Sequence, residues 1–284
     1  MKRIILIAIY PALCLISSAQ VNNSRNYIEE MPVLEKSTFE CVYSHIMYDA
    51  DLDRDIPVDG IFQLGRDYAQ YMRYGTYKCD SIIQSMDKKE RDALTYNQLH
   101  NNIYTANGWN GSDRILFDLK NQVLNRMIYA ESMYRYVEPM PVQDWEFLPG
   151  EVTVLGYKCR KARCTFRGRE WTAWYCPEIK IPYGPWKLRG LPGMILSASD
   201  STGAHSFTAI GLRTNPSNIY YDKRYELVRK VSRAECYKLL KEFSFGFSKE
   251  SWKRYNEDPV NNHRPAVKHI FYVPHELDCE VDVE

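Results

Sequence analysis

Apolar and polar positions alternate with a period of two along most of this chain, and that spacing predicts strands. Between Ser37 and Tyr48, Phe39, Cys41, Tyr43, His45 and Met47 fall on one side, with Glu40, Val42 and Ser44 on the other. Ile61 to Leu64 and Tyr68 to Tyr77 are shorter strand candidates. Arg114 to Leu119, Val123 to Ala130 and Met133 to Val137 read as successive strands, with a turn at Lys120-Asn121. A further strand starts at Trp145 to Leu148, and Pro149-Gly150 and Gly156 punctuate the residues after it. Tyr157 to Phe166 and Glu170 to Cys176 form a hairpin around Arg167-Gly168. Met194 to Ser199 and His205 to Arg213 are joined by Asp200-Ser201-Thr202-Gly203, and Ile270 to Val273 is the last strand. Helical spacing occurs in Asp80 to His100, with Ser85 or Asp87 as cap and the helix expected near 86–100. A second helix is expected near 232–243, opened by the capping box Ser232-Arg233-Ala234-Glu235. No internal repeat, coiled-coil register or low-complexity tract interrupts the pattern. The expected fold class is α+β: one domain built on a predominantly antiparallel, curved β-sheet of half-barrel form, with two helices.

The N-terminus departs from this pattern. Met1-Lys2-Arg3 is a short positive stretch, Ile4 to Ile16 is apolar or neutral, and Ser17-Ser18-Ala19 supplies small residues. This is the tripartite form of a signal peptide, with cleavage expected after Ala19 and a periplasmic or otherwise extracytoplasmic destination. The apolar run is short for a membrane span, and no later stretch approaches one. Residues 20–284 are expected to form the single domain, with a polar, mobile segment at 247–265.

Composition sharpens the picture. Lys and Arg total 37 and Asp and Glu 36, so no nucleic-acid partner is indicated. Tyrosine alone counts 22, which suits half-buried pleated surfaces. Seven cysteines follow Ala19: Cys41, Cys79, Cys159, Cys164, Cys176, Cys236 and Cys279. An oxidising compartment favours disulfides, and the odd number leaves a free thiol. If Arg167-Gly168 is a two-residue loop, Phe166 opposes Arg169, Cys164 opposes Trp171 and Cys159 opposes Cys176, a pair compatible with a bridge. A loop at Gly168-Arg169 shifts the register and removes that pair; Cys159–Cys164 and no bridge are the alternatives in either case.

Catalytic signatures are missing. There is no Gly-x-Ser-x-Gly elbow, phosphate loop or dinucleotide fingerprint. No cofactor or metal is indicated: His263, His269, His275 and Cys279 have no diagnostic ligand spacing. Asp49 to Asp55 lacks the glycine and distal glutamate of a calcium loop and reads as a solvated turn. Lys158, Arg160, Lys161, Arg163, Arg167 and Arg169 make a basic hairpin, either a site for an anionic headgroup or a solvated sheet face. Trp171, Trp174, Tyr175 and Trp186 either line a ligand site or fill the core. The candidate ligand-binding set is therefore Trp171, Trp174, Tyr175, Trp186, Arg167 and Arg169. In Gly190-Leu191-Pro192-Gly193-Met194, Leu191 to Met194 reads as a type II turn with positive φ at Gly193.

The run Gly190-Leu191-Pro192-Gly193-Met194-Ile195 resembles the signature of the GLPGLI family. Gly156-Tyr157-Lys158-Cys159-Arg160-Lys161-Ala162, Phe166-Arg167-Gly168-Arg169, Ala173-Trp174-Tyr175, Pro177-Glu178-Ile179 and Gly184-Pro185-Trp186 fit its central block, and Tyr272 to Leu277 fits its ending. Met194, Cys176 and His275 depart from the usual residues. The resemblance implies an exported Bacteroidetes envelope protein without transferable catalytic residues. A non-enzymatic binder of a lipid, a glycan or an outer-membrane protein is expected. The alternatives are a periplasmic hydrolase and a structural partner-binding module.

Overall fold

The structure is a computed structural model that describes residues 30–49, 53–92, 94–96, 98, 99, 102, 103, 114–130, 132–241 and 276. The expected signal peptide and its cleavage site, the 247–265 segment, the strand at Ile270 to Val273, and His263, His269, His275 and Cys279 lie outside those residues.

The alternating segments become strands: β1 (Val33–Lys36), β2 (Phe39–Asp49), β3 (Arg54–Pro57), β4 (Gly60–Leu64), β5 (Tyr68–Arg73), β6 (Arg114–Asp118), β7 (Val123–Ala130) and β8 (Ser132–Pro139). They continue as β9 (Glu146–Val154), β10 (Tyr157–Phe166), β11 (Arg169–Cys176), β12 (Met194–Asp200), β13 (His205–Arg213), β14 (Asn218–Tyr220) and β15 (Arg229–Lys230). Thirteen strands form one sheet in the order β15-β8-β7-β6-β5-β4-β2-β13-β12-β11-β10-β9, with β3 also on β2, and β1 pairs with β14 apart from it. Every pairing is antiparallel except the short β15 beside β8.

Chain length forces this sheet to curl. β8 and β9 lie ten strand spacings apart, about 48 Å on a flat sheet. Only residues 140–145 join them, a link that reaches at most about 25 Å. The two ends must therefore face each other across an open seam, giving a deeply curved sheet that is not a closed barrel. The concave side holds the core: Cys41, Tyr43, Phe62, Phe117 and Leu124 from the middle strands meet Trp171, Ala173, Leu196 and Phe207. The connection 177–193 runs into this hollow and contributes Trp186, Leu188 and Leu191. A helix at 233–241 adds Cys236 and Tyr237. Its cap is half of the expected box. Ser232 Oγ accepts the Glu235 N–H at 3.1 Å, but the Glu235 carboxylate takes Arg229 at 2.8 Å instead of returning to the cap.

The first helix departs from expectation. It spans Tyr74–Ser85 (α1) and ends where the 86–100 helix is expected to begin; a 3-10 turn follows at Lys88–Glu90, and α-helical residues resume between 94 and 103. Tyr74 and Tyr77 look strand-like, yet their rings stack 5.9 Å apart at helical spacing and pack on Val42, Ile61 and Met72. Asp80, a residue that reads as a helix start, sits inside α1 in an ion pair with Arg114. With β1, β14 and the four-residue helix α2 (Arg224–Leu227), α1 covers the convex side of the central strands. This explains why Glu40 and Val42 are buried as well as Cys41 and Tyr43.

The expected turn at Gly193 is not formed. Gly193 does not have positive φ; Gly190 (φ 92°) does. Gly193 is needed for another reason: a Cβ there would stand 2.1 Å from the Cys176 carbonyl oxygen and 2.9 Å from Pro177 Cα. Loss of that close approach should make Gly193→Ala cost about 2–3 kcal/mol, by overpacking against backbone. Gly203→Ala, with φ 75° and open space around it, should cost about 1 kcal/mol. Chemical denaturation of both variants measures the difference. Asparagine should be tolerated at 203 and not at 193, because only the former position is a matter of φ.

Candidate functional site

The hairpin comes out as the local sequence predicts. Arg167 and Gly168 both have positive φ (57° and 74°), Phe166 opposes Arg169, and Cys164 opposes Trp171. The hairpin does not form a single binding surface. Trp171 and Trp186 are 0% and 1% exposed, with ring centroids 5.7 Å apart, and Tyr175 is buried with them. The structure puts these three in the core and does not bring Trp174 to them. Trp174, between buried Ala173 and Tyr175, is half-buried beside Lys161, whose ammonium lies 5.6 Å from its ring centroid. The basic positions find carboxylates: Arg163 pairs with Glu146 at 2.7 Å, and Arg160 stands opposite Glu151. Arg169 is buried, with its guanidinium 2.6 Å from Asp200.

The candidate Cys159–Cys176 bridge is absent, as is the alternative Cys159–Cys164. The strand register agrees with the former, but no disulfide joins any two of the six cysteines among the described residues, all of which are buried. The Cys159 thiol lies 3.6 Å from the Tyr157 carbonyl oxygen of its own strand rather than reaching across, and burial raises it to about 11.

Arg167 leads to a centre that sequence reasoning missed. Its Nη2 lies 2.6 Å from Glu138 Oε2 on β8, and its Nε 3.8 Å from Glu276 Oε2. Arg233 mirrors it, 2.6 Å from Glu276 and 3.8 Å from Glu138. Between the same two carboxylates lies Lys187, whose Nζ is 2.6 Å from Glu138 Oε1 and 2.6 Å from Glu276 Oε1, and which also donates to Tyr136 Oη at 2.8 Å. Arg126 on β7 reaches Glu276 at 3.3 Å and donates to Tyr237 Oη. Four cations thus surround two carboxylates, drawn from both ends of the sheet, the connection 177–193, the C-terminal helix and Glu276. Lys187 and Glu276 are fully buried.

Burial pushes the Lys187 ammonium below its usual range, against the pull of both glutamates. Burial alone would raise Glu276, yet Lys187 and the arginines outweigh it and hold the carboxyl at about 2. Lys187 sits inside the glycine–proline motif but 49 positions from Glu138 and 89 from Glu276. The one local signal is a lysine set between Trp186 and Leu188 in an apolar run.

A second buried centre lies near β2 and β13. His45 Nε2 and His205 Nδ1 are 3.2 Å apart, His45 stacks on Phe207, and the backbone N–H of His205 donates to Asp200 Oδ1 at 2.7 Å. Burial first, then the charges of His205 and Arg73, holds His45 well below the ordinary histidine value. Among the described residues, no group of three or more His, Cys, Asp or Glu side chains could hold a metal ion. Among them too, no helix is long and apolar enough to cross a membrane.

Among the described residues, three exposed large apolar side chains lie at the β9 edge of the sheet, while Val33, Tyr48, Ile82, Leu94, Val142, Ile210 and Leu227 are exposed elsewhere on the chain. Phe147 and Val152 of β9, and Leu155 just after it, are 61%, 36% and 44% exposed. Opposed residues share a face, so Phe147 opposite Ala162 and Val152 opposite Cys159 belong to the concave side. They form an apolar lip beside the seam, and Phe147 meets buried Tyr175 edge-on at 6.1 Å.

No family model and no curated protein matches the chain. Two solved structures of PNGF-II, in C2 and P21 space groups, are similar to it with TM-scores of 0.48 and 0.47 and identities of 11% and 13%. Each alignment covers 74% of this chain, which spans 34% of the length of those proteins.

The seam predicts a pH dependence. Glu276 lies below its unfolded value, so its contribution is complete above about pH 4.5 and lost as pH falls towards about 2. Glu276→Gln should cost about 3–4 kcal/mol at pH 7. Urea titrations should show wild type and variant converging across that window. A constant gap would contradict the assignment.

Proposed function

We propose that this chain is an exported envelope protein of the GLPGLI type that works by holding a protein partner, without turning over a substrate. The apolar lip carries this reading. Phe147, Val152 and Leu155, three of the exposed large apolar side chains among the described residues, follow one another on and beside a single edge strand, and apolar surface of this kind marks interaction sites. Occupation of the hollow by Trp171, Trp186, Leu188 and Leu191 favours a protein at the lip over a lipid or glycan in the interior. Lys187 is bound to Glu138 and Glu276, and separately the two histidines to each other, which supports a structural role for these groups. The GLPGLI resemblance and the signal-like N-terminus support an extracytoplasmic, outer-membrane-associated setting for that partner.

Two measurements test the proposal. The intact mass of protein recovered from an osmotic-shock extract should correspond to a chain beginning at Gln20. Native mass spectrometry of the same material should show a bound protein with wild type and lose it with Phe147→Asp. Protein retained in the cytoplasm with residues 1–19 attached, or a wild-type chain that never carries a partner, overturns it.

A further inference from the structure

The free edge of β9 specifies more than an apolar contact. Leu155 and Gly156 form a two-residue turn with φ of 51° and 83°, closed by Val154 opposite Tyr157. In such hairpins the flanking pair exchanges both backbone hydrogen bonds, and hydrogen-bonded pairs then recur at every second residue. Val154 and Val152 therefore direct their N–H and C=O groups to β10. Thr153 and Glu151 direct theirs away from it, to the edge that no strand covers among the described residues. Both residues are exposed.

The strand already bound to β9 shows what suits it. On the outer face β10 sets cations against the glutamates, Arg163 on Glu146 and Arg160 opposite Glu151. On the concave face it sets Ala162 and Cys159 against Phe147 and Val152. β9 itself carries two glutamates and no cation. A second copy's β9 would bring like charge to like charge. Pro149, Gly150 (φ 128°) and the register shift beside Arg160 and Lys161 interrupt the edge on the other side, so the uncovered run is short.

We infer that the edge Glu151–Leu155 binds an extended segment of a partner protein by strand addition, one that alternates Lys or Arg on the outer side with apolar residues towards the lip. This rests on the lip reading above and adds the mode of contact and the partner's chemistry. Main-chain bonds at Glu151 and Thr153 supply attachment, Glu151 selects the charge, and Val152 and Leu155 receive the apolar positions.

The probe is a fluorescent synthetic peptide of the Tyr157–Phe166 sequence with both cysteines replaced by serine, titrated by anisotropy against the full chain. Saturable binding is expected. Thr153→Pro removes one free-edge donor at a position where an edge strand tolerates proline, and should weaken binding about tenfold. Glu151→Lys should weaken it similarly, and a peptide N-methylated at alternate residues should not bind, whether or not the proline variant folds. Unchanged affinity for Thr153→Pro with an unchanged melting temperature, or full affinity of the N-methylated peptide, overturns strand addition. If Val152→Ser weakens binding while those two changes do not, strand addition fails and the lip reading stands. If neither the edge nor the lip variants matter, or the peptide does not bind, the inference fails. A wild-type dimer in size exclusion that Thr153→Pro dissolves makes a second copy the occupant and also overturns it.

Discussion

Two carboxylates shared among four cations close what backbone hydrogen bonding leaves open. The sheet ends at β9 on one side and at β8 and β15 on the other, and nothing in its ladders brings these ends together. Glu138 comes from one end and Arg167 from the hairpin near the other. Lys187 rises between them from the connection that fills the hollow. Removing such charges from water is costly, and the arrangement holds because each carboxylate is shared by more than one cation. A closed barrel would need continuous strand pairing around its circumference. Here a few side chains perform that closure, and among the described residues no strand pairs with the outer edge of β9.

The same connection explains the interior. A curved sheet with one apolar face must either bind something or be filled by its own chain. Residues 177–193 fill it with Trp186, Leu188 and Leu191, and their proline and glycine content serves a tight path through a confined space. Gly193 passes against the Cys176 backbone, and Gly190 supplies the single positive φ among the glycines of that stretch. Polar tethers hold the path from the flanking linker: Trp145 donates to the Arg189 carbonyl at 2.7 Å, and Gln143 accepts from the Arg189 N–H at 2.9 Å.

Legibility in the sequence tracks the range of each interaction. The register of the 157–176 hairpin can be read from two turn residues, because neighbouring positions determine it. The strands β2, β4 to β8 and β10 to β13 are legible from alternation, whereas β3 begins inside the acidic stretch that reads as a solvated turn. The start of α1 is not, since tyrosines at 74 and 77 favour strands locally and only their packing against β2, β4 and β5 makes the turn helical. The candidate binding residues are recognisable as a group but sort wrongly. Aromatic and basic spacing cannot tell a core ring from a surface ring, and it places Trp171 and Arg169 with Trp174. Lys187 and Glu276 are invisible as a pair because nothing within a few residues of either points to the other.

That separation has a consequence for how the molecule comes into being. Of the six charged residues at the seam, Glu276 is the last to be synthesised, 89 positions after Lys187. Until it arrives, Glu138 alone faces four positive side chains, and their mutual repulsion opposes bringing the two ends of the sheet together. The nascent chain can lay down its ladders strand by strand and still be held apart. Closure is thereby made conditional on synthesis having passed residue 276, so a product truncated before it carries its own electrostatic mark of incompleteness.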